Sequence, residues 1–219
     1  MGNPNYPGYT ASNGPNWIDF LTVKYESQFL TYNLAFGGAT VDSTLVAPYL
    51  PIVLSVAQQV ENEFFPTYGS SPAIAPWKAS DTLFGVFIGI NDVGNSYGKG
   101  AAVTKVLNDE IFAVYEGLME MLYNIGGRNF LFLNVPPVDR SPLTSGQGAA
   151  LQALEKADIG AFNDKIGDLA DQLKDAHSDV NIFTVDTNEL FTDVLDKPSS
   201  FPQTVLYKNT TAYCDAYAK

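Results

Sequence analysis

The sequence predicts an α/β fold: a three-layer αβα sandwich around a flavodoxin-like, mostly parallel sheet. Three observations predict it. Short apolar runs of strand length alternate with long amphipathic segments. Those segments exceed ten residues, enough for the helix that a parallel crossover needs. Glycine or proline pairs close the runs, so each element has a defined stop.

Taken in order, Phe29 to Phe36 reads as a strand ending in Gly37-Gly38. A helix is expected from about Ile52 to Phe65, with Ile52, Val53, Val56, Val60 and Phe64 on one face. Pro48 and Pro51 suit its start, where a missing N–H is tolerated. Leu83 to Ile90 is continuously apolar, which predicts a strand buried on both faces. From about Ala102 to Ile125 the 3.6-residue period is strong. Val103, Val106, Leu107, Ile111, Val114, Leu118 and Leu122 make the stripe, and Gly126-Gly127 stops it. Asn129 to Val135 is the next buried strand, closed by Pro136-Pro137. Leu151, Leu154, Phe162, Ile166, Leu169 and Leu173 line a helix ending near His177. Val180 to Val185 is a strand, and Asn188 to Asp196 a short helix halted by Pro198. No linker interrupts this alternation, so residues 1–219 are expected to form one domain.

Composition narrows the chemistry. Twelve Lys and Arg against twenty-four Asp and Glu leave a net charge of −12, which repels phosphate backbones and anionic bilayers. Neither nucleic acid nor membrane is an expected partner, and no apolar run approaches the roughly 18 residues of a membrane span. One Cys and one His exclude a Cys/His zinc site and an internal disulfide. Cys214 has no partner within the sequence. Neither a P-loop nor a dinucleotide fingerprint is present, and no cofactor is expected. The GxSxG elbow is absent too. His177, in Asp175-Ala176-His177-Ser178-Asp179, reads as a helix-end residue favoured by the dipole. Asn209-Thr210-Thr211 is a glycosylation sequon, meaningful in a secreted protein. A low charged share of 16% with 12 Tyr suits a protein handling neutral ligands such as sugars.

Ligands of such folds bind at the carboxyl ends of the strands, and three strand ends are polar or glycine-rich. Asn33-Leu34-Ala35-Phe36-Gly37-Gly38-Ala39-Thr40 offers backbone N–H groups. Gly89-Ile90-Asn91-Asp92 sets an amide and a carboxylate directly after a strand, and Asn134-Val135-Pro136-Pro137-Val138-Asp139 does the same one strand later. Singly these are a glycine turn, a helix cap and a rigid proline turn.

Together, with the stretches NPNYPGYTASNGPNWIDFLT, LTYNLAFGGATVDSTLVAPYLP, IGINDVGNSY, NFLFLNVPPVDRSPLT and SFPQTVLYKNTTAYC, they resemble the SGNH hydrolases, also called GDSL esterases and lipases. The resemblance is nearest the fungal acetylesterases of carbohydrate esterase family sixteen. It implies a serine esterase of the SGNH hydrolase fold, extracellular and monomeric, acting on a small-molecule or oligosaccharide ester. The family glycine matches Gly38 and the family asparagine matches Asn91; the resemblance makes their N–H and amide the oxyanion hole. Asp92, Gly37 and Asn33 are expected to support that site, with Asp92 bracing the loop.

The departures from the pattern also predict. No Gly-Asp-Ser block precedes Gly2 and no Asp-x-x-His block follows Cys214. Gly69-Ser70-Ser71 and His177 stand at the wrong places to replace them. The expectation is therefore a chain truncated at both ends, without its first strand and last helix, lacking the Ser nucleophile and the Asp/His pair, and inactive. Two strand edges would then lack partners, which predicts marginal stability. Against this stand two other readings. One is a non-catalytic carbohydrate binder using Tyr9, Trp17 and Tyr97 on a cleft rim. The other is a receiver-like domain suggested by Asn91-Asp92, which lacks the expected Lys after its last strand.

Overall fold

The computed structural model describes residues 10, 14–25 and 29–213. Among them, three strands form a parallel sheet in the order β1-β2-β3: Leu83–Phe87, Asn129–Leu133 and Asn181–Val185. The register runs Leu83–Asn129–Asn181 through Phe87–Leu133–Val185. The α/β class and parallel sheet among helices agree with the sequence. So do the two long helices, α5 (Ala101–Asn124) and α7 (Ala149–Ala176), and the short α8 (Thr187–Asp196).

The remaining helical pieces are short. Helix α1 (Trp17–Asp19) opens on an Asn16–Asp19 capping box and continues in a π-type turn over Phe20–Tyr25. Helix α2 (Val56–Gln58), a π-type stretch Gln59–Phe64 and α3 (Phe65–Tyr68) form one rod. It begins not at about Ile52 but after Ser55, because the Ser55–Gln58 capping box satisfies the first orphan donors there. Ile52 lies outside it and is exposed. Helix α4 (Ile90–Gly94) follows β1, and α6 (Pro142–Ser145) precedes α7.

The core lies between the sheet and α5 and α7. Phe130 and Phe132 are fully buried on one face of β2, with Tyr115 of α5 edge-on to Phe132 at 6.0 Å. Phe162 of α7 meets Phe112 of α5 at 4.8 Å. Burying such a side chain contributes about 2–3 kcal/mol. The α5 stripe differs from its sequence reading at one end. Val103 and Val106 face solvent, whereas Thr104 and Asn108 turn inward to meet Asp158 of α7.

Two strand expectations are corrected. Residues 29–36 are extended but belong to no ladder among the described residues, and Phe29 and Leu30 are exposed. An extended segment becomes a strand only when a neighbour takes its N–H and C=O groups. Strand β1 is likewise not buried on both faces. Its residues are half-buried or exposed, Leu83 at 53%, and among the described residues its only ladder is with β2.

Candidate active site

Two features build the site: a glycine turn at residues 36–39 and the strand-to-helix corner after β1. In the first, Ala39 N–H donates to Phe36 O at 3.1 Å, closing a turn with Gly38 at φ +89°. In the second, Gly89 caps α4 at φ +116°. Any side chain there would collide with Phe162 and Val135, whose carbons lie 2.5 and 2.6 Å from the position of a Cβ. Glycine lets the backbone turn sharply here and deliver Asn91 and Asp92 to the strand end.

The structure joins these two segments directly. Asn91 Nδ2 donates to Ala39 O at 3.0 Å, which leaves one of its two amide hydrogens for another acceptor. The Asp92 carboxylate accepts the Val41 N–H at 3.0 and 3.3 Å. Asp92 is fully buried, and burial pushes its carboxyl up to about 7, against the lowering effect of that Val41 bond. The loop is held at further points. Thr40 Oγ1 donates to Val46 O at 2.8 Å, Val56 N to Thr40 O at 2.9 Å, and Asn95 Nδ2 to Ala47 O at 3.2 Å.

Gly38, Asn91 and Asp92 thus come together, and Gly37 sits exposed at the turn. Asn33 makes no bond to Asn91 or Asp92: its Oδ1 accepts from Ala35 N at 3.0 Å, and with Phe36 of the glycine turn, Asn62, Glu63 and Tyr68 it lines a hollow of about 470 Å³. Asn209 is exposed, its Oδ1 accepting from Thr211 N and Oγ1. Cys214 and Tyr9 lie outside the described residues. Tyr97 is no rim residue. It is buried, with its hydroxyl against Gln147 Oε1 at 3.2 Å. Trp17 packs edge-on to Phe87.

Neither residue pair that might replace a nucleophile and base is placed for it. Ser71 Oγ is bonded to the backbone of Trp77. His177 Nε2 lies 2.8 Å from Glu120 Oε1, with its ring stacked on Tyr123 at 3.6 Å. Among the described residues no group of three His, Cys, Asp or Glu could hold a metal, and no helix is long and apolar enough to cross a membrane.

The third strand end was seen in the sequence, but its main partner was not. The Asn163 side chain of α7 accepts from Val135 N at 2.8 Å and donates to Val135 O at 2.9 Å. Its signal was faint: an Asn, a poor helix former, beside the core residue Phe162. Asn134 is fixed by Asp186 and Asn188. Beyond them a cavity of about 750 Å³ opens, lined by Asp139, Arg140, Lys156, Asn163, Asn188 and Asp196. Arg140 and Asp196 pair across it at 2.6 Å, and burial raises the Asp139 carboxyl.

Comparison with known proteins adds the family. The model of the GDSL-like lipase/acylhydrolase family matches residues 1–215. An acetylesterase of Thermothelomyces thermophilus is 36% identical over 218 residues, which span 98% of this chain and 71% of that protein. A GDSL esterase/lipase of Arabidopsis thaliana is 24% identical over 144 residues, 60% of this chain and 38% of the plant protein.

Proposed function

This chain belongs to the GDSL-like lipase/acylhydrolase family, and from that premise we propose that it serves the removal of acetyl groups from carbohydrate, outside the cell. The observation that supports the reading best is the joint at Ala39, where the Asn91 amide lies 3.0 Å from the carbonyl next to Gly38. That contact brings a side-chain amide and a glycine N–H into one corner. Attack on an ester places negative charge on the carbonyl oxygen, and fixed donors stabilise that charge without reorganising. Gly38 N–H and Asn91 Nδ2 are the donors in this reading, and Asp92 holds their two loops in register through Val41.

The acetate assignment draws on the Thermothelomyces relative, an acetylesterase, and the sugar assignment on the acidic, charge-poor composition. Asn209, exposed within its sequon, is the glycosylation site of a secreted chain. The 219 residues hold neither a Gly-Asp-Ser nor an Asp-x-x-His block. By themselves they should hydrolyse p-nitrophenyl acetate no faster than buffer does, and His177→Ala should change nothing.

The deciding experiment grafts onto this chain the segments that flank the matched region in the Thermothelomyces acetylesterase. The expected result is acetate release from acetylated xylo-oligosaccharide, with kcat falling about 100- to 1000-fold in Asn91→Ala. A folded, active graft in which Asn91→Ala keeps its kcat overturns the assignment. So does hydrolysis by the ungrafted chain that is lost in His177→Ala.

A further inference from the structure

A tyrosine lies against the glycine turn. A Cβ added to Gly38 would stand 2.3 Å from Tyr49 Cε1 and 2.6 Å from Cδ1. One edge of the ring therefore occupies the space that any other residue at position 38 would need. Yet Tyr49 is 69% exposed, so its remaining surface is open to water. The ring is also well placed by its loop. Pro48 and Pro51 bracket it and fix two backbone dihedrals. The Val53 N–H donates to Leu50 O at 3.1 Å, and Asn95 Nδ2 ties Ala47 to the end of α4.

What sets Tyr49 apart from the other exposed aromatics is its place: a ring open to water on most of its surface and held by one edge to a residue of the oxyanion pair can take an occupant that is flat and apolar on one face. We propose that Tyr49 is the sugar platform of the ester site: a neutral pyranose ring lies on it while its acetyl carbonyl reaches Gly38 and Asn91. This inference rests on the acetylesterase reading above. The axial C–H face of a pyranose matches an aromatic face, and the phenol hydroxyl supplies a polar edge. A long acyl chain would call for an enclosed apolar groove, whereas Tyr49 lines neither of the two hollows described above. A net charge of −12 disfavours an anionic lipid surface. Gly38 then has two duties, to offer its N–H and to leave room for the ring.

The test is an NMR titration of the 219-residue chain with acetylated xylotriose, plain xylotriose and methyl octanoate, repeated on Tyr49→Ala and Tyr49→Phe. Acetylated xylotriose should shift the Tyr49 ring together with the Gly38 and Asn91 amide signals. Tyr49→Ala should weaken its binding about three- to tenfold, and Tyr49→Phe, which keeps the ring face and loses only the polar edge, should weaken it less than Tyr49→Ala does. If Gly38 and Asn91 still respond while Tyr49→Ala binds as before, the platform is refuted and the acetylesterase reading stands. If no ester shifts Gly38 or Asn91, that reading falls and the platform with it. A response of Tyr49 to methyl octanoate but not to xylotriose overturns the sugar assignment in favour of an acyl-chain contact.

Discussion

Replacing Asp92 with Asn should abolish the pH dependence of stability at the candidate site. Asp92 is wholly buried, and its carboxyl titrates at about 7 in the folded chain against 3.8 for the free group. The folded state thus prefers the neutral acid. Below about pH 4 the side chain is protonated in both states and carries no penalty. As pH rises to about 7 the unfolded chain ionises first, and stability falls by about 1.4 kcal/mol per pH unit, about 4 kcal/mol in all. Above 7 the loss levels off. In Asp92→Asn this dependence vanishes, while Oδ1 still accepts the Val41 N–H. The new amide N–H₂ has no acceptor in the place of Oδ2, which costs about 1–3 kcal/mol at every pH. The variant should therefore be less stable than the parent near pH 4 and more stable by about 1–3 kcal/mol at pH 8. Urea unfolding followed by Trp17 and Trp77 fluorescence at unit steps of pH tests this. Two parallel stability curves, or a variant that falls further behind as pH rises, would refute the account of Asp92.

Other perturbations follow the same contacts. Gly89→Ala forces a side chain into φ +116° and against Phe162 and Val135, and should lose more than about 3 kcal/mol in chemical denaturation. Asn163→Ala removes both bonds to Val135 and should cost about 2–3 kcal/mol, with Asn163→Asp recovering only the bond from Val135 N–H. Glu155 and Asp158 are buried, and desolvation raises both carboxyls against the opposing hydrogen bonds from Thr144 and from Asn108 and Thr104. Stability should therefore decline as pH climbs above the ordinary carboxylate range, and Asp158→Asn should flatten that decline in a pH series of melting curves. With β1 paired to β2 alone among the described residues, thermal unfolding should fall below about 55 °C, at or under the middle of the mesophile range. Lys in place of the exposed Leu83 should slow aggregation measured by light scattering, and a sharp transition well above 55 °C would contradict this.

Helices α5 and α7 were legible because their period repeats over six or seven turns, long enough for the pattern to outweigh local exceptions. Strands β2 and β3 were legible as apolar runs with firm stops. Residues 29–36 were misread because the apolar content of a segment does not say whether a neighbour will accept its hydrogen bonds. Val103 and Val106 were misread for a related reason. The buried side of α5 also carries Thr104 and Asn108, polar residues whose inward turn depends on Asp158, fifty positions away from Asn108. At the candidate site, Gly38, Asn91 and Asp92 stood out because each follows an apolar run. Tyr49 and Asn163 did not, since an aromatic in a proline-rich loop and an Asn in a helix are ordinary until their contacts are known.

The pairing of Asn163 with Val135 has a mechanical consequence. After Val135 come two prolines, which have no N–H to offer, so the backbone alone could not continue the ladder. The amide of Asn163 stands in for a peptide unit, bonding both the N–H and the C=O of Val135. The end of β2 is thereby bolted to the middle of a 28-residue helix. Any swing of the 136–139 rim must drag that helix along its own axis or break both bonds at once. The rim after β2 therefore moves only as one piece with α7.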